Sequence, residues 1–157
     1  MLASYLERMP IVAILPNLPP DMAEEVGTAL VDAGITILEV PLRGADLAAS
    51  LESVRILARA VGDRALVGAG TVLRVDQVAE VVSVGARLVV SPNFNAEVVA
   101  ATRAANLVSL PGVFSPTEAF QAIDAGAVRT ASRAHAVCTR LRTPSLTSTP
   151  CAAHRTA

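Results

Sequence analysis

Between Pro10 and Ala127 the chain alternates short apolar runs with longer stretches whose apolar residues recur every three or four positions. The apolar runs are Ile11–Leu15 (IVAIL), Thr36–Val40 (TILEV), Ala65–Ala69 (ALVGA), Arg87–Ser91 (RLVVS) and Leu107–Pro111 (LVSLP). They are continuous rather than alternating and rich in β-branched residues, the pattern of parallel strands covered by helices. The stretches between them, such as DMAEEVGTALVDAG and VDQVAEVVSVGA, have the helical period. Gly34, Gly62, Gly85, Asn106 and Gly126 each stand just past a helix, where a left-handed residue is expected. Ser115-Pro116-Thr117-Glu118 reads as a capping box with proline at the first helical position, and Asn95 as the cap of the preceding helix.

The result is five βα units, which build either an open doubly wound sheet or a (βα)8 barrel. The first βα turn, LPNLPPD, has no glycine-rich phosphate fingerprint, which argues against a dinucleotide fold. Eight units of this period need roughly 200 residues. The 157 residues here are too few to close a barrel alone.

The pattern breaks after Asp124. All fourteen acidic residues lie at or before it, and five arginines, both cysteines and both histidines after it. Lysine is missing from the whole chain. The expected organisation is a partial barrel over 1–127 and an irregular, unrelated tail over 128–157. Two readings of the tail stand: a shortened protein, or a one-base frame change near Ala127 in a GC-rich gene. The tail residues His135, Cys138, Cys151 and His154 have loosely finger-like spacing but no apolar residues to pack around a metal, so no metal site is expected. A disulfide is not expected in a cytoplasmic protein.

A net charge of −1 gives no reason to expect a nucleic-acid partner, and no apolar run reaches the length of a membrane span. The amino-terminal segment makes a poor signal peptide, so the expected compartment is the cytoplasm. Unpaired strand edges and uncovered apolar faces in a partial barrel predict low solubility or rescue by oligomerisation.

Ligands of such barrels bind where strands end and helices begin. Glu39, a carboxylate inside an otherwise apolar strand, is the sharpest feature there. Desolvation raises the pKa of such a group and suits it to take and give protons. The other reading is a structural ion pair with Arg43. Thr71 follows Gly68-Ala69-Gly70, small residues that admit an anion to backbone N–H groups or simply pack strand on helix. Ser91-Pro92-Asn93 and Leu110-Pro111-Gly112 end the next two strands, and each also reads as a plain turn. Arg43 suits a phosphate or carboxylate, or solvent.

In order, PIVAIL, ILEVPLR, GAGTVL, SPN and SLPGVFSPTEAF resemble the 2-keto-3-deoxy-6-phosphogluconate and 2-dehydro-3-deoxy-6-phosphogalactonate aldolases, over about Pro10 to Ala127. SLPGVFSPTEAF leans to the galactonate branch and Arg43 to the gluconate branch, with galactonate favoured. The resemblance implies a (βα)8 barrel, a homotrimer, and no metal or organic cofactor. It implies reversible cleavage of a phosphorylated 2-keto-3-deoxy sugar acid to pyruvate and glyceraldehyde 3-phosphate. A sixth-strand lysine forms the Schiff base in that family. Glu39 matches the glutamate that shuttles protons, and Thr71 the threonine that holds the pyruvate carboxylate. Pro92 and Pro111 match turn prolines that shape the site, with Gly112 beside them, and Arg43 the substrate-binding arginine. Two features depart. Pro16 stands where the family commonly has an arginine, and VRTASR (128–133) where the lysine is due. Arginine stays protonated and is no substitute nucleophile. The expectation is an aldolase by family that is inactive in this chain. The alternative is a non-catalytic half-barrel that binds small anions or an intact aldolase subunit.

Overall fold

The computed structural model describes residues 2–42 and 46–131 and the backbone of 132, 138 and 139. Arg43, His135, Cys151 and His154 lie outside the described residues, as does the side chain of Cys138.

The sheet contains β1 (Ala13–Ile14), β2 (Ile37–Pro41), β3 (Leu66–Gly70), β4 (Leu88–Ser91), β5 (Val108–Val113), β6 (Thr130–Ser132) and β7 (Cys138–Thr139). Its strands lie side by side in chain order, and β1 to β6 are all parallel. Helices α2 (Pro20–Asp32), α3 (Leu47–Val61), α4 (Val75–Ser83), α5 (Ala96–Ala104) and α6 (Pro116–Asp124) connect them. Every expected strand and helix is present. The parallel sheet also runs one strand past the five expected units, because β6 pairs with β5 at Gly112–Ala131 and Val113–Ser132. A short antiparallel β7 follows. β1 is shorter than its apolar run: Ile11 and Ile14 sit exposed at the edge of the sheet.

Strand residues alternate between two cores. Leu38, Val40, Val67, Ala69 and Val89 point to the helices and pack with Val54, Leu57, Val61, Val78, Val81 and Val98. Ile37, Leu66, Leu88, Val108 and Leu110 point the other way, onto the inner face of the curled sheet. A helix that the strand-helix pattern left out, α1 (Leu2–Arg8), closes that face from below. It buries Leu2 and Leu6, four residues apart, against the same cluster. Ala131 of β6 packs there too. Fully burying each of these leucines contributes about 1.5–3 kcal/mol before entropy is counted.

The helix ends follow the sequence, with one exception. Gly34, Gly85, Gly126 and Asn106 all take positive φ. Gly62 does not: its φ is −65°. The Arg87 guanidinium explains the difference. It donates to the Gly62 carbonyl and, at 2.8 Å, to that of Ala65. An orphan carbonyl at the end of α3 thus finds a side-chain donor instead of a left-handed backbone turn. Ser115 and Glu118 form the expected capping box, and the Asn95 side chain accepts from Glu97 and Val98 N–H. Among the described residues no helix is long and apolar enough to cross a membrane.

Candidate active site

The alternation that sends Ile37 to the inner face sends Glu39 there as well, two residues on. Glu39 is 5% exposed. Its backbone carbonyl accepts from Leu15 N–H at 2.9 Å, which fixes β2 against the end of β1. Its carboxyl group lies across the end of β3. A β-carbon built on Gly70 would stand 2.6 Å from Glu39 Cδ and 2.7 Å from Oε2, with Oε1 closer still.

Thr71 follows directly and has φ +59°. A β-branched residue in the left-handed region costs about 1–3 kcal/mol and persists only where its surroundings over-determine it. Here they do. Leu42 N–H donates to the Gly70 carbonyl at 2.7 Å on one side, and Val72 N–H donates to the Val90 carbonyl at 3.2 Å on the other. The turn is therefore clamped between β2 and β4. The strain belongs to the residue the sequence singled out for anion binding.

The next two strand ends form a second group. Ser91 pairs with Pro111 in register. Ser91, Pro111 and Gly112 are buried, whereas Pro92 and Asn93 are exposed. A β-carbon on Gly112 would meet the Pro92 carbonyl oxygen at 2.5 Å, so glycine is required for β5 to approach β4 at the rim. Pro92, Asn93, Gly112, Val113, Phe114 and Glu118 line a cleft of about 310 Å³. Glu39 and Thr71 are not part of its lining: Thr71 follows the carboxyl end of β3, and Glu39 lies mid-strand in β2. A larger cleft of about 590 Å³ lies at the opposite ends of the strands, beside Tyr5, Arg8, Thr36 and Arg64, away from Glu39.

Glu118 lines the first cleft. Its Oε2 accepts from Phe114 N–H at 2.7 Å and Ser115 N–H at 3.0 Å. These two backbone hydrogen bonds, Phe114 first, hold its carboxyl below the ordinary glutamate range. The sign of the pH effect follows. The stabilisation of the α6 cap is complete above the unfolded value of about 4.5 and is lost as pH falls through the lower folded value. An NMR titration of Glu118 is expected to show a midpoint below that of an exposed glutamate. In Ser115→Ala the change should be small, because Ser115 Oγ is the smallest contributor.

Ala131 occupies the inner face of β6, opposite Gly112, within the stretch where a lysine was due. Thr71, Pro92, Pro111 and Gly112 fall at the carboxyl-end rim, and Glu39 lies on the inner face of β2, two residues before that strand ends. What the sequence did not mark is the contact between Glu39 and Gly70, since nothing local announces a side chain from the neighbouring strand. Among the described residues no three histidine, cysteine or acidic side chains are grouped to hold a metal.

The family model for KDPG and KHG aldolases matches residues 2–131. The chain belongs to that family. It is 44% identical over 118 residues to a probable 2-dehydro-3-deoxy-6-phosphogalactonate aldolase of Rhizobium meliloti, covering 75% of this chain and 54% of the relative. It is 38% identical over 120 residues to the 2-dehydro-3-deoxy-6-phosphogalactonate aldolase of Escherichia coli, covering 76% and 57%. The chain thus spans about half the length of the curated relatives it matches. Among solved structures, native KDPGal superposes with TM-score 0.74 at 37% identity, over 80% of this chain and 60% of that one. The KDPG aldolase of Legionella pneumophila, captured with pyruvate as a covalent carbinolamine, superposes with TM-score 0.71 at 27% identity, over 82% and 60%. The family match begins at α1 and ends inside β6, so it includes both elements that the repeat pattern left out.

Proposed function

We propose that this chain carries the acid-base and carboxylate-anchoring part of a Schiff-base aldolase site. The reaction class is cleavage of a 2-keto-3-deoxy-6-phospho sugar acid, galactonate favoured over gluconate, to pyruvate and glyceraldehyde 3-phosphate. The observation that carries this reading is Glu39, buried on the inner face, with its carboxyl group against the Gly70–Thr71 turn. Backbone N–H groups and the Thr71 hydroxyl at that turn suit a keto-acid carboxylate. Glu39 beside it suits removal and return of a proton at the carbon next to the carbonyl. Support for galactonate comes from the two relatives of highest quoted identity, both named for the galactonate substrate.

Imine formation needs a neutral amine, and the chain contains no lysine. As the sequence stands, the site binds pyruvate and related keto acids without carbon–carbon cleavage. Borohydride reduction in the presence of pyruvate tests this. The expected result is no covalent adduct except at the amino-terminal amine. A reduced adduct on an internal residue would overturn the reading.

A further inference from the structure

We propose that Gly70 is a positioning residue for Glu39: the missing side chain at Gly70 is the space the Glu39 carboxyl group occupies. The inference rests on Glu39 as the proton carrier and adds what holds it in place.

Glycine at position 70 has no backbone explanation. The glycines with positive φ among the described residues are Gly34, Gly85 and Gly126. At the end of β3 the left-handed conformation falls one residue later, on Thr71, which is the worse residue for it. The nearest contacts also differ in kind from those at Gly68, the other glycine of β3. At Gly68 a β-carbon would run into the backbone oxygen and β-carbon of Leu88 on β4, so Gly68 serves strand approach. At Gly70 the three nearest atoms are Oε1, Cδ and Oε2 of Glu39, and nothing else comes as near. The site required is therefore for a carboxyl group, not for a neighbouring strand.

The consequence is a mechanical link. The Gly70 carbonyl is held by Leu42 N–H, and Leu42 continues β2 three residues beyond Glu39. The carboxyl group thus rests on the same turn whose far side presents Thr71. The proton carrier and the carboxylate anchor share one backbone segment. A methyl group at position 70 cannot be accommodated unless the carboxyl group leaves that segment.

Gly70→Ala and Glu39→Ala, singly and combined, test the link together with the ¹³C chemical shift of the Glu39 carboxyl carbon. In Gly70→Ala the carboxyl group is displaced from the Gly70–Thr71 turn, and the ¹³C chemical shift of its carboxyl carbon changes. The loss of melting temperature caused by Gly70→Ala should largely vanish in the Glu39→Ala background, since the obstructing atoms are gone. Glu39→Asp, one methylene shorter, should also relieve it. An unchanged Glu39 carboxyl shift in Gly70→Ala, or an equal loss of melting temperature in both backgrounds, overturns the proposal. If Gly70→Ala alone does not fold, folding of the double variant supports the link and its failure refutes it. None of these readouts requires turnover, so they stand or fall separately from the role of Glu39 in catalysis.

Discussion

Replacing Ala131 with lysine is expected to create a pyruvate-trapping site in a chain that otherwise has none. Ala131 lies on the inner face of β6, packed with the cluster formed by Ile37, Leu66, Leu88 and Leu110, and paired in register with Gly112. A lysine built there leaves the strand on the Glu39 side of the sheet, among apolar neighbours. Desolvation lowers the pKa of a lysine in such surroundings and raises the fraction of neutral amine. Pyruvate and borohydride should then label the peptide containing position 131 and leave the native chain unlabelled internally. A folded Ala131→Lys variant that takes up no label would show that β6 does not present its inner face to the site.

In that same background, Glu39→Gln is expected to leave trapping intact and to slow proton exchange. The imine forms at the carbonyl carbon and does not need Glu39. Conversion of imine to enamine removes a proton from the adjacent methyl carbon and does need a base. Loss of a positioned general base typically costs about 10²–10⁴-fold. Exchange of the pyruvate methyl protons with deuterated water, followed by NMR, should fall by that order in Ala131→Lys/Glu39→Gln relative to Ala131→Lys. Equal exchange in the two variants would remove Glu39 from the mechanism and leave it a structural carboxylate over Gly70.

The sequence made the scaffold readable because the scaffold is periodic. Apolar runs marked β2 to β5, and small or capping residues marked helix ends at Gly34, Gly85, Asn106 and Gly126. The departures each have a tertiary cause. Gly62 keeps a right-handed backbone because Arg87, twenty-five residues later, supplies the donor its carbonyl needs. The Leu2 and Leu6 spacing of α1 was visible, but its partner is the floor of a curled sheet, which no local pattern describes. β6 was hidden because the loss of the expected lysine looked like the loss of the strand. Thr130 is β-branched and buried, and pairing with β5 continues through Ala131 and Ser132.

The candidate site was legible in part. Glu39 stood out because a carboxylate in a buried strand is costly and so needs a reason. Thr71 stood out through the glycines before it, yet its left-handed backbone and the clamp from Leu42 and Val90 appear only in three dimensions. Gly70 read as one small residue among three. Only the neighbouring strand shows that its missing side chain makes room for Glu39.

The most direct test of the central claim is a pyruvate titration of the native chain followed by backbone amide NMR. The account predicts saturable shifts at Thr71 and Val72 and a response of the Glu39 carboxyl carbon, with no covalent adduct and no exchange of the pyruvate methyl protons. Shifts confined to the opposite cleft at Tyr5, Thr36 and Arg64, or no shift at Thr71 at concentrations that saturate keto-acid sites, would contradict it.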